Sequence, residues 1–247
     1  MKKKVFITGA SSGIGEFLAY AYAKKGYFIG LAARREDKLI QVASKCFEYG
    51  GEVKCYTLDV TDEILCKKNI DDFISLPGEI DTVYANAGVG GSDELSSGIS
   101  SAMNKILLIN ILGVTNTVLP FIPYLKSQKN GKVAVISSVA SFRGLAHHSA
   151  YSGSKVAIRN FCQGWNNALY NYNISFSAIC PGFVVSEMTD NKNITQPFKL
   201  ETKIAVEKII HAVEKRRKIF VFPWQMRLLT IPIMKWSPEW LIRLLKI

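Results

Sequence analysis

The stretch "KKVFITGASSGIGEFLAYAYAKKG" constrains the fold of this chain more than any other. A short apolar run, long enough for one strand, passes into a turn that holds Gly9, Gly13 and Gly15. An amphipathic helix follows and ends at Gly26, a residue suited to the C′ position. Strand, glycine-rich turn and helix, in that order, present backbone N–H groups at the positive end of a helix to a phosphate. The glycines allow a tight turn and let a pyrophosphate approach the main chain.

The same alternation continues along the chain. Apolar runs in "YFIGLAARRED", "EVKCYTLDV", "IDTVYANAGVG", "GKVAVISSVAS", "ISFSAICPGFVVSEMT" and "KIFVFPW" are separated by helical stretches. This pattern predicts an α/β protein, a doubly wound, mainly parallel sheet with helices on both faces and a site at the carboxyl ends of the strands. Neither a Pro/Ser-rich linker nor an internal repeat divides the sequence, so residues 1–247 are expected to form one domain.

The strand ends carry the residues of interest. After the second run come Ala33, Arg34 and Arg35, at the place where an acidic residue would bind the adenosine ribose of NAD. Arginine there pairs with a 2′-phosphate, which favours NADP(H) over NAD(H). Asp59 and Val60 follow the third run and suit an adenine edge, and Asn86, Ala87 and Gly88 let backbone approach a flat cofactor. Farther on, "AYSGSK" sets Tyr151 four residues before Lys155, a spacing that puts both on one helix face. Tyr20 and Lys24 repeat the spacing inside the first helix, remote from any strand end, where a packing role is expected.

Thr8-Gly9-xxx-Gly13-Ile14-Gly15, Asn86-Ala87-Gly88, Asn110, Ser138, Tyr151-xxx-Lys155 and Pro181-Gly182 together resemble the ordered motif series of the short-chain dehydrogenase/reductase family. The thirteen residues from Ser138 to Tyr151 also resemble that family's spacing. The resemblance implies an NAD(P)-dependent enzyme that interconverts a carbonyl and a secondary alcohol. Tyr151 would be the general acid/base. Lys155 would lower the Tyr151 pKa and hold ribose hydroxyls, Ser138 would fix the substrate oxygen, and Asn110 would anchor a water. Cofactor contacts are implied for Gly9, Ser11, Ser12, Gly13, Ile14, Gly15, Arg34, Arg35, Asp59, Val60, Asn86, Ala87, Gly88, Tyr151, Lys155, Pro181, Gly182, Val184 and Ser186. Ser186 stands where the family usually has threonine, keeping the hydroxyl that would contact the nicotinamide carboxamide. Residues 183–200 resemble the family's substrate lid, which with 88–92 and 139–145 would set substrate choice. A homodimer or homotetramer is implied as well.

Composition excludes some classes. Net charge is +11, but no nucleic-acid recognition motif accompanies it, and no nucleic-acid partner is expected. Residues 203–247 hold ten Lys/Arg against three Glu, and the tail 224–247 adds Trp224, Trp236 and Trp240 among aliphatic side chains. Such a basic amphipathic tail suits a peripheral contact with a membrane surface, a cover over a lipid-like substrate, or packing on protein. The five cysteines form no CxxC pair, and His147 with His148 lacks a third ligand, so neither a disulfide framework nor a metal site is expected. The apolar run before Thr8 is too short for a signal peptide, and the sequence holds no window of 18 uncharged apolar residues, so no spanning helix is expected. A cytoplasmic oxidoreductase is the resulting expectation, with peripheral membrane association through the tail as one of the alternatives left open. A cofactor-binding sensor without turnover would be expected to lose one of Asn110, Ser138, Tyr151 or Lys155, and all are present; a sugar epimerase or dehydratase would need more chain for its substrate.

Overall fold

The computed structural model describes residues 2–189 and 196–240. Parts of the expected lid (190–195) and tail (241–247) therefore lie outside the described residues. Seven parallel strands form one sheet in the order β3-β2-β1-β4-β5-β6-β7. They are β1 (Lys3–Thr8), β2 (Phe28–Ala33), β3 (Glu52–Thr57), β4 (Glu79–Ala85), β5 (Gly131–Ile136), β6 (Ile174–Pro181) and β7 (Ile219–Phe222). Each expected apolar run became a strand.

Strands in such a sheet are buried on both faces, which is why their sequences run apolar without alternation. In β1, Val5 and Ile7 enter one core cluster and Phe6 enters the other. The first cluster is closed by α1 (Gly13–Ala23), α2 (Glu36–Glu48) and α8 (Thr202–Glu214). The second is closed by α3 (Glu63–Ser75), the run of α4 (Ser101–Leu107), α5 (Gly113–Val118) and α6 (Ile122–Gln128), and α7 (Ser149–Ala168). Chain order reverses between β1 and β4, so the crevice of the fold opens there, at the carboxyl ends.

A charged residue helps fasten the second layer. Lys4 is fully buried in β1, and its Nζ donates to the carbonyls of Phe73, Ile74 and Leu76 at 3.1, 3.0 and 2.6 Å. Those are carbonyls at the end of α3 that no further helical turn reaches, where a cation is favoured.

The helical run Ser101–Gln128 packs on the second core cluster. By length and composition it is apolar enough to cross a bilayer, although its sequence is interrupted by Asn110, Thr115 and Asn116. In the fold, one side of this run carries Val114, Val118 and Phe121 into the second core cluster. A single π-helical turn, Leu108–Leu112, interrupts it at Asn110, and such turns gather at functional sites. Among the described residues the five cysteines are free thiols.

Candidate active site

The carboxyl ends of β1 to β6 surround a cavity of about 430 Å³. Every site residue expected from sequence lines it except Gly15 and Asn110, which support its wall. Gly9 has φ +66°, and a Cβ there would fall 2.9 Å from the Cα of Ala87; a Cβ on Gly15 would fall 2.3 Å from the Gly9 carbonyl oxygen. The turn therefore needs glycine at both positions. Asn86 Nδ2 donates to the carbonyls of Thr8 and Gly9 at 2.9 and 3.2 Å, while the Thr8 hydroxyl accepts from the amides of Asn86 and Ala87. These bonds lock the glycine turn onto the end of β4. Ser12, the N-cap of α1, makes no side-chain capping bond. The first amides of that helix thus face the cavity without a side-chain acceptor, as a pyrophosphate requires, and a nicotinamide dinucleotide fits this cradle.

The two arginines diverge. Arg34 reaches toward Asp59, with Nη1 3.7 Å from the carboxylate. Arg35 turns over the glycine loop, where Nη2 donates to the hydroxyls of Ser11 and Ser12 at 3.1 and 2.8 Å. Its Nη1 donates to Glu187 at 2.7 Å, and Lys38 Nζ donates to the other oxygen of that carboxylate at 2.5 Å.

On the other side of the crevice, α7 carries Tyr151 and Lys155. Lys155 is buried, its Nζ 5.6 Å from the centre of the Tyr151 ring and 2.8 Å from the Ile136 carbonyl, to which it donates. Ser138 lines the same wall as Tyr151, and its hydroxyl accepts from the Ala140 amide at 3.1 Å. The neighbouring Ser137 instead donates to the Lys155 carbonyl at 2.9 Å, which separates the roles of two serines that sequence alone could exchange. Burial raises the Tyr151 pKa above its ordinary value and outweighs the Ser138 hydroxyl, which lowers it; burial also brings Lys155 down to about 8.

Asn110 is fully buried in the π-helical turn. Its Oδ1 accepts from the Val89 amide at 2.8 Å, and its Nδ2 donates to the Val89 carbonyl and the Ser154 hydroxyl at 2.9 and 3.0 Å. It ties the loop after β4 to α7. A second tie comes from Asp93, buried at the start of α7, which accepts from the amide and hydroxyl of Ser149 and from the Ala150 amide at 3.0 Å. His148 Nδ1 lies 2.7 Å from the Gly91 carbonyl oxygen, consistent with a loop residue. Tyr20 bonds Glu16 within α1 and packs on Phe17 and Tyr49, away from the cavity.

The expected lid begins after Gly182. Its base is pinned by a bridge between Val184 and Leu200, and Ser186 shares hydrogen bonds with Thr189. Leu58, Ile109, Ile136 and Ser137 also line the cavity and were not expected from sequence, whereas Val89, Glu187, Met188 and Thr189 come from the segments expected to set substrate choice and Ala33 from the end of the second apolar run. For Leu58, Ile109 and Ile136, position next to a strand end or to Asn110 was the signal available; for the pairing of Glu187 with Arg35 and Lys38 there was none. Beyond β7, α9 (Ile231–Trp236) lies against the 139–142 turn, and Arg143 donates to the Ser237 carbonyl at 2.9 Å and to Glu239.

A parallel sheet with a dinucleotide cradle at its switch point, and a Ser-Tyr-Lys group across the crevice, defines a nicotinamide-dependent oxidoreductase. The short chain dehydrogenase family model matches residues 3–197. The chain belongs to that family and is an NAD(P)-dependent dehydrogenase/reductase. It is 34% identical to an uncharacterized oxidoreductase of Myxococcus xanthus, over 91% of this chain and 88% of the relative. It is 40% identical to the 11-beta-hydroxysteroid dehydrogenase-like 2 protein of Arabidopsis thaliana, over 76% of this chain. The match spans 61% of that plant protein's length. Among solved structures, the alcohol dehydrogenase of Thermococcus sibiricus complexed with 5-hydroxy-NADP shares a TM-score of 0.79 and 28% identity, over 90% of this chain and 96% of that one.

Proposed function

We propose that this protein is an NADP(H)-dependent enzyme interconverting a carbonyl and a secondary alcohol on an apolar, lipid-like substrate. The observation that carries the reading is the convergence of Ser138, Tyr151 and Lys155 on one wall of the cavity. The bound nicotinamide supplies the hydride acceptor or donor; the protein supplies the proton and the geometry. Tyr151, protonated at neutral pH as an ordinary phenol is, donates to the carbonyl oxygen in reduction and takes the proton back in oxidation. Ser138 orients that oxygen. Lys155 holds ribose hydroxyls. Asn110 is a positioning residue for α7, and the π-turn around it would hold a water joining Lys155 to solvent.

Gly9, Ser11, Ser12, Gly13 and Ile14 would hold the pyrophosphate, Asp59 and Val60 the adenine, and Asn86 to Gly88, Pro181, Gly182, Val184 and Ser186 the nicotinamide half. Arg35 supports the NADP(H) preference, since its guanidinium reaches the Ser11 and Ser12 hydroxyls, with Lys38 next to it. Val89, Val184 and Met188 give the substrate side an apolar lining, and the hydroxysteroid dehydrogenase-like relative has a lipid-related name.

Replacing Tyr151→Phe tests the reading. Cofactor affinity should be retained while turnover falls by about 10²- to 10⁴-fold, the range for loss of a general acid. Undiminished turnover on any accepted carbonyl substrate would refute the role of Tyr151.

A further inference from the structure

Glu187 is a carboxylate in an unusual place. It follows Ser186, which lies in the segment after β6, yet its two oxygens meet the guanidinium of Arg35 and the ammonium of Lys38, from the turn after β2 and the first turn of α2. Arg35 in turn bonds both serines of the glycine loop. Arg35 and two hydroxyls therefore converge at one corner of the cavity, with Lys38 just outside its lining, and an anion of the protein itself is bound to both cations. Hydrogen bonds from Lys38 and from Arg35 hold the Glu187 carboxyl at a pKa of about 2, so it is ionised throughout the working pH range.

We infer that Glu187 is a specificity-determining residue that opposes NADP(H), because its carboxylate occupies the cations that a 2′-phosphate needs. The inference rests on the NADP(H) reading above. A 2′-phosphate reaching Arg35 and Lys38 must displace the carboxylate from them, while a cofactor with a plain 2′-hydroxyl leaves the ion pairs in place. The chain thus discriminates less between the two cofactors than Arg35 and Lys38 alone would allow. Specificity here is a difference of two affinities, and an internal competitor reduces only one of them.

The test compares dissociation constants of NADPH and NADH, by calorimetry, for wild type, Glu187→Gln, Arg35→Ala and the double variant. Glutamine at 187 should tighten NADPH about tenfold, the size of one charge-assisted hydrogen bond released from competition, and leave NADH within about twofold. In the Arg35→Ala background the gain should shrink or vanish, because the contact through which Glu187 competes has been removed. Unchanged or weaker NADPH binding by Glu187→Gln overturns the inference. Weaker NADH binding with NADPH unchanged also overturns it, and would make Glu187 a partner of the ribose hydroxyls instead. If wild type prefers NADH while Glu187→Gln gains NADPH affinity, the inference stands and the NADP(H) preference proposed above fails.

Discussion

Asp93 shows how much a single residue outside every recognised motif contributes to this site. Its carboxylate bonds the first two residues of α7, the helix that carries Tyr151 and Lys155, from 56 positions away in sequence. No local pattern in "GVGGSDELSS" announces that role, because an N-cap is legible only when it immediately precedes its helix. Glu187 and Lys4 escaped for the same reason: their partners are 149 and 72 residues away, respectively, for Lys38 and Leu76. The candidate catalytic residues Ser138, Tyr151 and Lys155 were legible because their spacing is local, or is fixed by strand order. Replacing Asp93→Ala should cost about 1–3 kcal/mol of unfolding free energy at neutral pH, as a buried cap with several donors left unpaired. Burial alone would raise the Asp93 pKa, but the bonds from Ser149 and Ala150 prevail and hold it below the ordinary value. A lowered folded-state pKa gives stability that is present above the unfolded carboxyl's value, about 4, and lost as pH falls through the folded value. Urea denaturation should therefore show the gap between wild type and variant closing in acid. A gap that persists unchanged to about pH 3 would mean that the carboxylate's charge is not what stabilises the helix start.

At the scale of elements, the seven strands could be read from sequence because each apolar run gives way to glycine, proline or a polar residue at the rim of the sheet, Gly9, Arg34, Asp59, Asn86, Ser137, Gly182 and Pro223. The π-helical turn at Asn110 could not, since one extra residue within a helix leaves the apolar spacing almost unchanged. The tail is the element whose surroundings sequence left open among membrane, substrate and protein. Part of the answer is internal: α9 packs on the 139–142 turn, and Arg143 holds residues 237 and 239. What remains outward is apolar and aromatic, with Trp236 78%, Trp240 67% and Leu228 60% exposed. Side chains of this kind beside basic residues enter the interfacial region of a bilayer. Full-length protein should float with vesicles containing anionic lipid, and a chain ending at Pro223 should not. Equal flotation of the two would remove the tail from any membrane role.

At the scale of the whole molecule, an unpartnered apolar ridge lies on the outer side of the 101–128 run. Leu108, Leu112 and Leu119 are each about half exposed, at 47, 48 and 50%, and they fall on one helical face while Ile109, Val114 and Val118 face inward. Isolated exposed leucines need no explanation, but three aligned on one helical run form a patch that a second copy of the chain can cover by two-fold symmetry. That geometry supports the homo-oligomer implied by the family resemblance. It also has a bearing on catalysis, because the ridge belongs to the same run as Asn110, which braces the loop after β4 and α7. Leu112→Asp should convert the protein to a monomer in light scattering, since a stable interface of roughly 1,200 Å² or more does not tolerate a buried unpaired carboxylate at its centre. Leu112 lies outside the cavity lining, so any accompanying loss of turnover would be transmitted through Asn110 and α7 rather than through direct contact. A variant with undiminished oligomeric mass would place the interface elsewhere and leave this ridge as ordinary surface.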